Sequence, residues 1–115
     1  MKSFINSFGY AFKGITLAFK QRNFIIQFII ALITVVLAFY FKISIPEWCI
    51  ILFCIALVLS LEIMNTAIEH FVDLVSPEIN QKAGKIKDLA AAAVLIASII
   101  SAVIGVIIFL PYLFS

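Results

Sequence analysis

The sequence predicts an all-α integral membrane protein, an N-terminal amphipathic surface helix followed by three transmembrane helices. Three observations carry that reading. The 115 residues are 65% hydrophobic and only 12% charged, with a mean hydropathy of +1.25, whereas soluble domains are roughly half apolar and about a quarter charged. Three long stretches are almost free of charge. Ahead of them, phenylalanines recur at helical spacing among lysines. The length suits one domain, and the composition excludes a disordered chain, a disulfide scaffold and an ordinary cytosolic enzyme.

The first element covers residues 1–22. Phe4, Phe8, Phe12, Ile15 and Phe19 follow one another at spacings of four, four, three and four, a single stripe of a helix. Lys2, Asn6, Lys13 and Lys20 fall largely off that stripe. This pattern suits a helix lying in the membrane interface. The segment has no unbroken apolar core and no small-residue cleavage site, so it does not read as a cleavable signal peptide.

Three membrane helices follow, over 24–41, 48–68 and 89–114. The first contains one amide, Gln27, and no charge; the second is apolar until Glu62; the third carries no charge. Each approaches or exceeds the roughly 17–25 residues that cross a bilayer as a helix, and in lipid only a helix or a closed barrel satisfies its own backbone. Ile43–Glu47 reads as the first turn. Ser76-Pro77 ends the second membrane helix, because proline cannot donate the next backbone bond, and a polar connection runs from Glu78 to Lys85, closed by Gly84.

Charge sets orientation and excludes some partners. Seven of the eight Lys/Arg residues lie before the first span or between the second and third, with only Lys42 in the other loop. The positive-inside rule then places the N-terminus and the second loop in the cytoplasm. The net charge of +2 gives no argument for nucleic acid. Cys49 and Cys54 lie five residues apart, about 140° around a helix, so they predict neither a disulfide nor a metal pair.

The chemistry-bearing stretch is Glu62-Ile63-Met64-Asn65-Thr66-Ala67-Ile68-Glu69-His70-Phe71-Val72-Asp73. At about 100° per residue, Glu62, Asn65, Glu69 and Asp73 fall within an arc of roughly 80°. Stacked carboxylates repel, and a charge within hydrocarbon costs at least ~2.5–3.5 kcal/mol. A divalent cation would offset both, since hard cations take carboxylate and carbonyl oxygens. Lys82, Lys85, Lys87 and Asp88 follow across the loop, and a basic cluster beside a metal site suits a polyphosphate such as Mg-ATP. His70 stands alone, and Gly9, Gly14, Gly84 and Gly105 form no phosphate loop.

These residues resemble the bacterial membrane diacylglycerol kinase family, which includes undecaprenol kinases. The run Glu62-x-x-Asn65-Thr66-Ala67-Ile68-Glu69-x-x-Val72-Asp73 carries the likeness. It continues through Pro77-Glu78 and Ala83-Gly84-Lys85-x-Lys87-Asp88 to Ala91-Ala92-Ala93-Val94-Leu95, and Tyr10-Ala11-Phe12-Lys13-Gly14 matches in the surface helix. The resemblance implies a homotrimer in the bacterial plasma membrane, with sites shared between subunits, that transfers phosphate from ATP to a lipid hydroxyl with Mg2+. It implies Glu62 as general base, Asn65 orienting it, and Glu69 as metal ligand. Tyr10, Glu69, Glu78, Asn80, Lys87 and Asp88 would surround the nucleotide. The family places a second metal-binding glutamate late in the surface helix; Lys20-Gln21-Arg22-Asn23-Phe24 has no acid there, which removes one negative charge.

Diacylglycerol and undecaprenol both remain open as substrate. Two alternatives stand beside the kinase: a small transporter or channel subunit, and a degenerate kinase that only binds lipid or nucleotide.

Overall fold

The computed structural model describes residues 1–115 as four helices and no strand. They are α1 (Lys2–Ala18), α2 (Arg22–Phe41), α3 (Ile45–Val75) and α4 (Gln81–Leu113). The last three are long and apolar enough to cross a membrane. α3 is the axis of the molecule: α4 packs along it, α2 packs beside it and α1 touches it, while α2 and α4 meet through side chains, Phe41 on Phe109 and Tyr112 and Gln27 on Ser98.

The phenylalanine stripe of α1 stays outside. Phe4, Phe8 and Phe12 are exposed, with Phe4 and Phe8 edge to face at 5.1 Å. An interfacial helix presents its apolar face in this way, ready for lipid. The elbow into α2 is aromatic, since the Phe19 ring meets those of Phe24 and Phe28 at 5.0 and 4.9 Å. Ala18 and Phe24 are buried there.

The α2–α3 turn is tight. Lys42 takes the left-handed conformation, with φ 52° and ψ 54°, and the Ile43 N–H donates to the Ala38 carbonyl, the closure common at helix ends. Ala38, fully buried, then packs with Ile43, Ile51 and Ile108 to form the one compact apolar cluster.

Two helices begin earlier than the charge pattern suggests. α3 starts at Ile45 rather than residue 48, because Ser44 and Glu47 form a reciprocal capping box with Pro46 in the first turn. α4 starts at Gln81 rather than 89, because the Asn80 side chain accepts from the Ala83 N–H. The polar connection therefore shrinks to residues 76–80, and Lys82, Gly84 and Lys85 belong to the helix. α3 does stop at Val75, before Ser76-Pro77, though well beyond residue 68. The boundaries move because a cap, not the edge of the hydrocarbon, decides where a helix starts.

Length sets the architecture. At 1.5 Å per residue the 20 residues of α2 span about 30 Å, whereas the 31 of α3 and 33 of α4 span about 46 and 50 Å. The α3–α4 hairpin thus overreaches α2 on the side of its loop, well past a ~30 Å hydrocarbon core.

A non-glycine residue in the left-handed region costs about 1–2 kcal/mol. Lys42→Gly should therefore stabilise the protein by about 1 kcal/mol, measured as a higher thermal midpoint of helical circular dichroism in detergent.

Candidate active site

The site forms where the α3–α4 hairpin emerges beside the α1–α2 elbow. Glu62 lies 17 residues past Ile45, and Phe24 lies 17 residues before Phe41, so the two occupy one height above the turn. Asn65 and Gln21 match at twenty residues by the same count. The predicted carboxylate face of α3 is therefore level with the elbow.

Glu62 is only 4% exposed and Asn65 only 7%. These are the two buried polar side chains of the molecule. The Asn65 amide donates to Glu69 Oε1 at 2.9 Å, and its carbonyl oxygen Oδ1 is buried with no partner. Orphaned buried oxygens are rare and call for an explanation. Glu62 takes part in no side-chain hydrogen bond and no ion pair. The expected contact between Asn65 and Glu62 is thus replaced by one between Asn65 and Glu69; both acids are within helical reach of Asn65, and its rotamer turns the amide toward Glu69.

Asp73 leaves the carboxylate group for another partner. Lys87 Nζ donates to Asp73 Oδ1 at 2.5 Å, joining the ends of α3 and α4. This is the single ion pair of the chain. Of the basic residues after the proline break, Lys87 therefore lies beside the acidic face. Glu62, Glu69 and Asp73 do not converge as a three-acid group on one ion, since Glu62 sits in the seam, Glu69 is exposed and Asp73 is held by Lys87.

The other predicted residues are more scattered. Tyr10 is 69% exposed on α1. Glu78 is exposed in the loop, where its backbone carbonyl accepts from the Ser76 hydroxyl. Asn80 caps α4 and donates to Ser76 Oγ, and Asp88 is exposed next to Lys87. Two polar ties escaped the sequence reading. Gln27 Nε2 donates to Ser98 Oγ at 3.4 Å across α2 and α4, and the Tyr112 hydroxyl donates to Glu47 Oε1, joining α4 to the start of α3. The lone amide of the first span signalled Gln27; nothing local pointed to its partner.

Magnesium would suit these donors. It favours oxygen ligands, keeps several waters, and is bound through one or two carboxylates together with substrate phosphates. Exposed Glu69 and the unpartnered Asn65 Oδ1 offer such oxygens without a dedicated cage.

Fold and site define a small helical membrane protein with a buried, unpaired carboxylate, Glu62, within its central helix and a lysine–aspartate pair near that helix's end. Comparison with known proteins gives the family. The prokaryotic diacylglycerol kinase profile matches residues 9–109. The undecaprenol kinase of Bacillus subtilis is 41% identical over 114 residues, covering 98% of this chain and 93% of its own. The diacylglycerol kinase of Escherichia coli K12 is 32% identical over 100 residues, 86% of this chain and 82% of its own. That of Haemophilus influenzae is 34% identical over 94 residues, 81% and 80% of the two chains. The chain belongs to the prokaryotic diacylglycerol kinase family, a family of membrane lipid kinases, for which ATP is the co-substrate.

Because Lys87 and Asp73 are both substantially exposed, at 39% and 63%, their pair contributes little to stability. Lys87→Gln should change unfolding free energy by less than about 1 kcal/mol in a detergent denaturation series.

Proposed function

We propose that this protein transfers the γ-phosphoryl group of ATP to the hydroxyl of a membrane lipid alcohol, diacylglycerol or undecaprenol, at the cytoplasmic face of a bacterial plasma membrane. The observation that carries this reading is Glu62: a carboxylate buried at the level where α3 leaves the membrane, with no cation and no hydrogen bond engaging it. Such a group is costly to keep, and it is placed to take a proton from an alcohol rising out of the bilayer.

In this reading the lipid hydroxyl oxygen attacks the γ-phosphorus, its proton passes to Glu62, and the bond to the β-phosphate oxygen breaks to release ADP. Glu69 and the Asn65 carbonyl oxygen would hold magnesium, which would supply neutralisation of charge on the phosphates, much of what phosphoryl transfer requires. Asn65 positions Glu69 through its amide. Lys87 and Asp88, with Tyr10, Glu78 and Asn80, face the nucleotide, and Lys87 exchanges Asp73 for phosphate oxygens as ATP arrives. The subunit forms a homotrimer, with its cytoplasmic side at the N-terminus and the 76–80 loop. The resemblance, the basic loops and the small number of buried residues, 13 of 115, support this assembly, because one subunit alone leaves Tyr10 and Glu78 open.

Family membership and the place of the acids, in the half of α3 nearer the 76–80 loop, favour the kinase over a transporter, which usually needs an ionisable group near mid-span. Gln21 keeps a weakened kinase in view: at the height of Asn65 it offers a neutral oxygen where the family carries a carboxylate.

Glu62→Gln should lower phosphate transfer from labelled ATP by at least about 100-fold, with helicity and detergent-solubilised size unchanged. The assay offers diacylglycerol and undecaprenol in parallel; transfer at the wild-type rate would remove Glu62 as the base. Gln21→Glu should lower the magnesium concentration needed for half-maximal rate several-fold, and an unchanged magnesium titration would show that another group supplies the ligand.

A further inference from the structure

Charge is divided unevenly along this chain. Residues 1–46 carry five of its eight bases, Lys2, Lys13, Lys20, Arg22 and Lys42, and none of its six acids. The remaining three bases, Lys82, Lys85 and Lys87, share the rest of the chain with all six acids, and Lys87 pairs with Asp73. The four bases of α1 and its elbow have no counter-ion in the subunit. Lys2, Lys13, Lys20 and Arg22 are exposed and none enters an ion pair.

α1 presents three separate sides. At about 100° per residue, Phe4, Phe12 and Ile15 lie within roughly 40° of Phe8. Ala18, the one buried residue of α1, and half-buried Gly14 lie about 80–120° to one side and face the subunit. Lys2 and Lys13 lie about 120–140° to the other side, turned away from it. Between the lysines and the phenylalanine stripe come Gly9, where a Cβ would meet nothing within 4 Å, and Thr16, whose hydroxyl turns back to the Phe12 carbonyl. The lysine stems are therefore free to lie toward the apolar side while their ammonium groups stay in a polar layer. The elbow fixes the depth of that layer. Gln21 caps α2 twenty residues before Phe41, about 30 Å up the helix, which is the thickness of the hydrocarbon core. α1 thus leaves α2 where the headgroups begin.

We infer that α1 and its elbow form a binding surface selective for anionic phospholipids, whose headgroups are held by Lys2, Lys13, Lys20 and Arg22 on the side of the helix turned away from the subunit. The phenylalanine stripe inserts among acyl chains whatever the headgroup charge. The unpaired bases do discriminate, since each one near an anionic bilayer surface is worth about fivefold in binding. Acids of a second copy match the bases less well. Glu47 is bound to Ser44 and Tyr112, Glu62 is buried and Asp73 is taken by Lys87. Lipid phosphates, by contrast, lie at the height of the elbow in every membrane that carries them. This binding does not depend on phosphate transfer and is read without ATP.

The full chain is reconstituted in phosphatidylcholine vesicles with equal traces of photoreactive phosphatidylglycerol and photoreactive phosphatidylcholine, each carrying the same reactive group at the top of one acyl chain. Peptides from residues 1–22 should take up at least about fivefold more of the anionic lipid. Peptides holding Ile99, Ile100 and Val103, exposed on α4, should take up both equally. Molar salt, which shortens the screening length to about 3 Å, should remove most of the preference. Replacing Lys2, Lys13, Lys20 and Arg22 by Gln together should bring it close to unity, with helicity and detergent-solubilised size unchanged. The double variant Lys2→Gln/Lys13→Gln, which leaves the elbow intact, should lower it at least about twofold, whereas Lys2→Arg/Lys13→Arg should keep it. Phe4→Ser/Phe8→Ser should instead reduce labelling by both lipids alike. Equal labelling in the wild-type protein, a preference that survives both Gln variants, or one confined to residues 78–88 overturns the inference. So does a smaller assembly in the Gln variants, which would give the bases to a second copy. An anionic preference at residues 1–22 in a protein that transfers phosphate to no lipid would strike the kinase reading and leave this surface standing.

Discussion

Every backbone polar group within the hydrocarbon must find its partner in the chain itself, and the rest of this structure follows from that constraint. Of 93 backbone hydrogen bonds, 83 lie inside helices. The chain can therefore change direction only where a turn closes its own ends, at the Phe19–Gln21 elbow, the Lys42–Ile43 closure and the Ser76–Asn80 connection. With α2 limited to 20 residues and α3 and α4 extending to 31 and 33, the excess appears at one end. That excess carries Glu69, Asp73, Lys82, Lys85, Lys87 and Asp88, the charges that would be hardest to place in lipid.

Few polar side chains remain at membrane depth, and each has a distinct place. Glu47 and Tyr112 tie α4 to the start of α3 at the far end. Gln27 and Ser98 tie α2 to α4 part-way along. Glu62 and Asn65 are buried at the near end, where one carboxylate has no partner and one carbonyl oxygen is orphaned. Hydrogen bonding is nearly complete at the first two places and left incomplete at the third. Unsatisfied buried groups are costly in a medium that cannot solvate them, and here they are concentrated at one height of α3.

Much of this was legible in the residues. The phenylalanine stripe of α1, the three apolar spans and the helix stop at Ser76-Pro77 all appear as expected, because periodicity, apolar length and proline act locally. The grouping of Glu62, Asn65 and Glu69 on one face followed from helical geometry. The early starts of α3 and α4 were also written locally, in Ser44-Ile45-Pro46-Glu47 and in Asn80 before Gln81, but as capping signals rather than as hydropathy. The partner of the Asn65 amide, Glu69 rather than Glu62, depends on rotamers that spacing alone leaves undecided.

The sequence by itself determined the class of protein, the number of spans and the family, since all three depend on residue type and on short-range order. Tertiary structure decided which carboxylate would be buried without a partner, that Asp73 would be claimed by Lys87 across 14 residues, and that Gln27 would meet Ser98 across 71. It also opened a groove between α2 and α4. These outcomes depend on how three rods of unequal length lean on one another, and no local pattern encodes the angle at which packed helices cross.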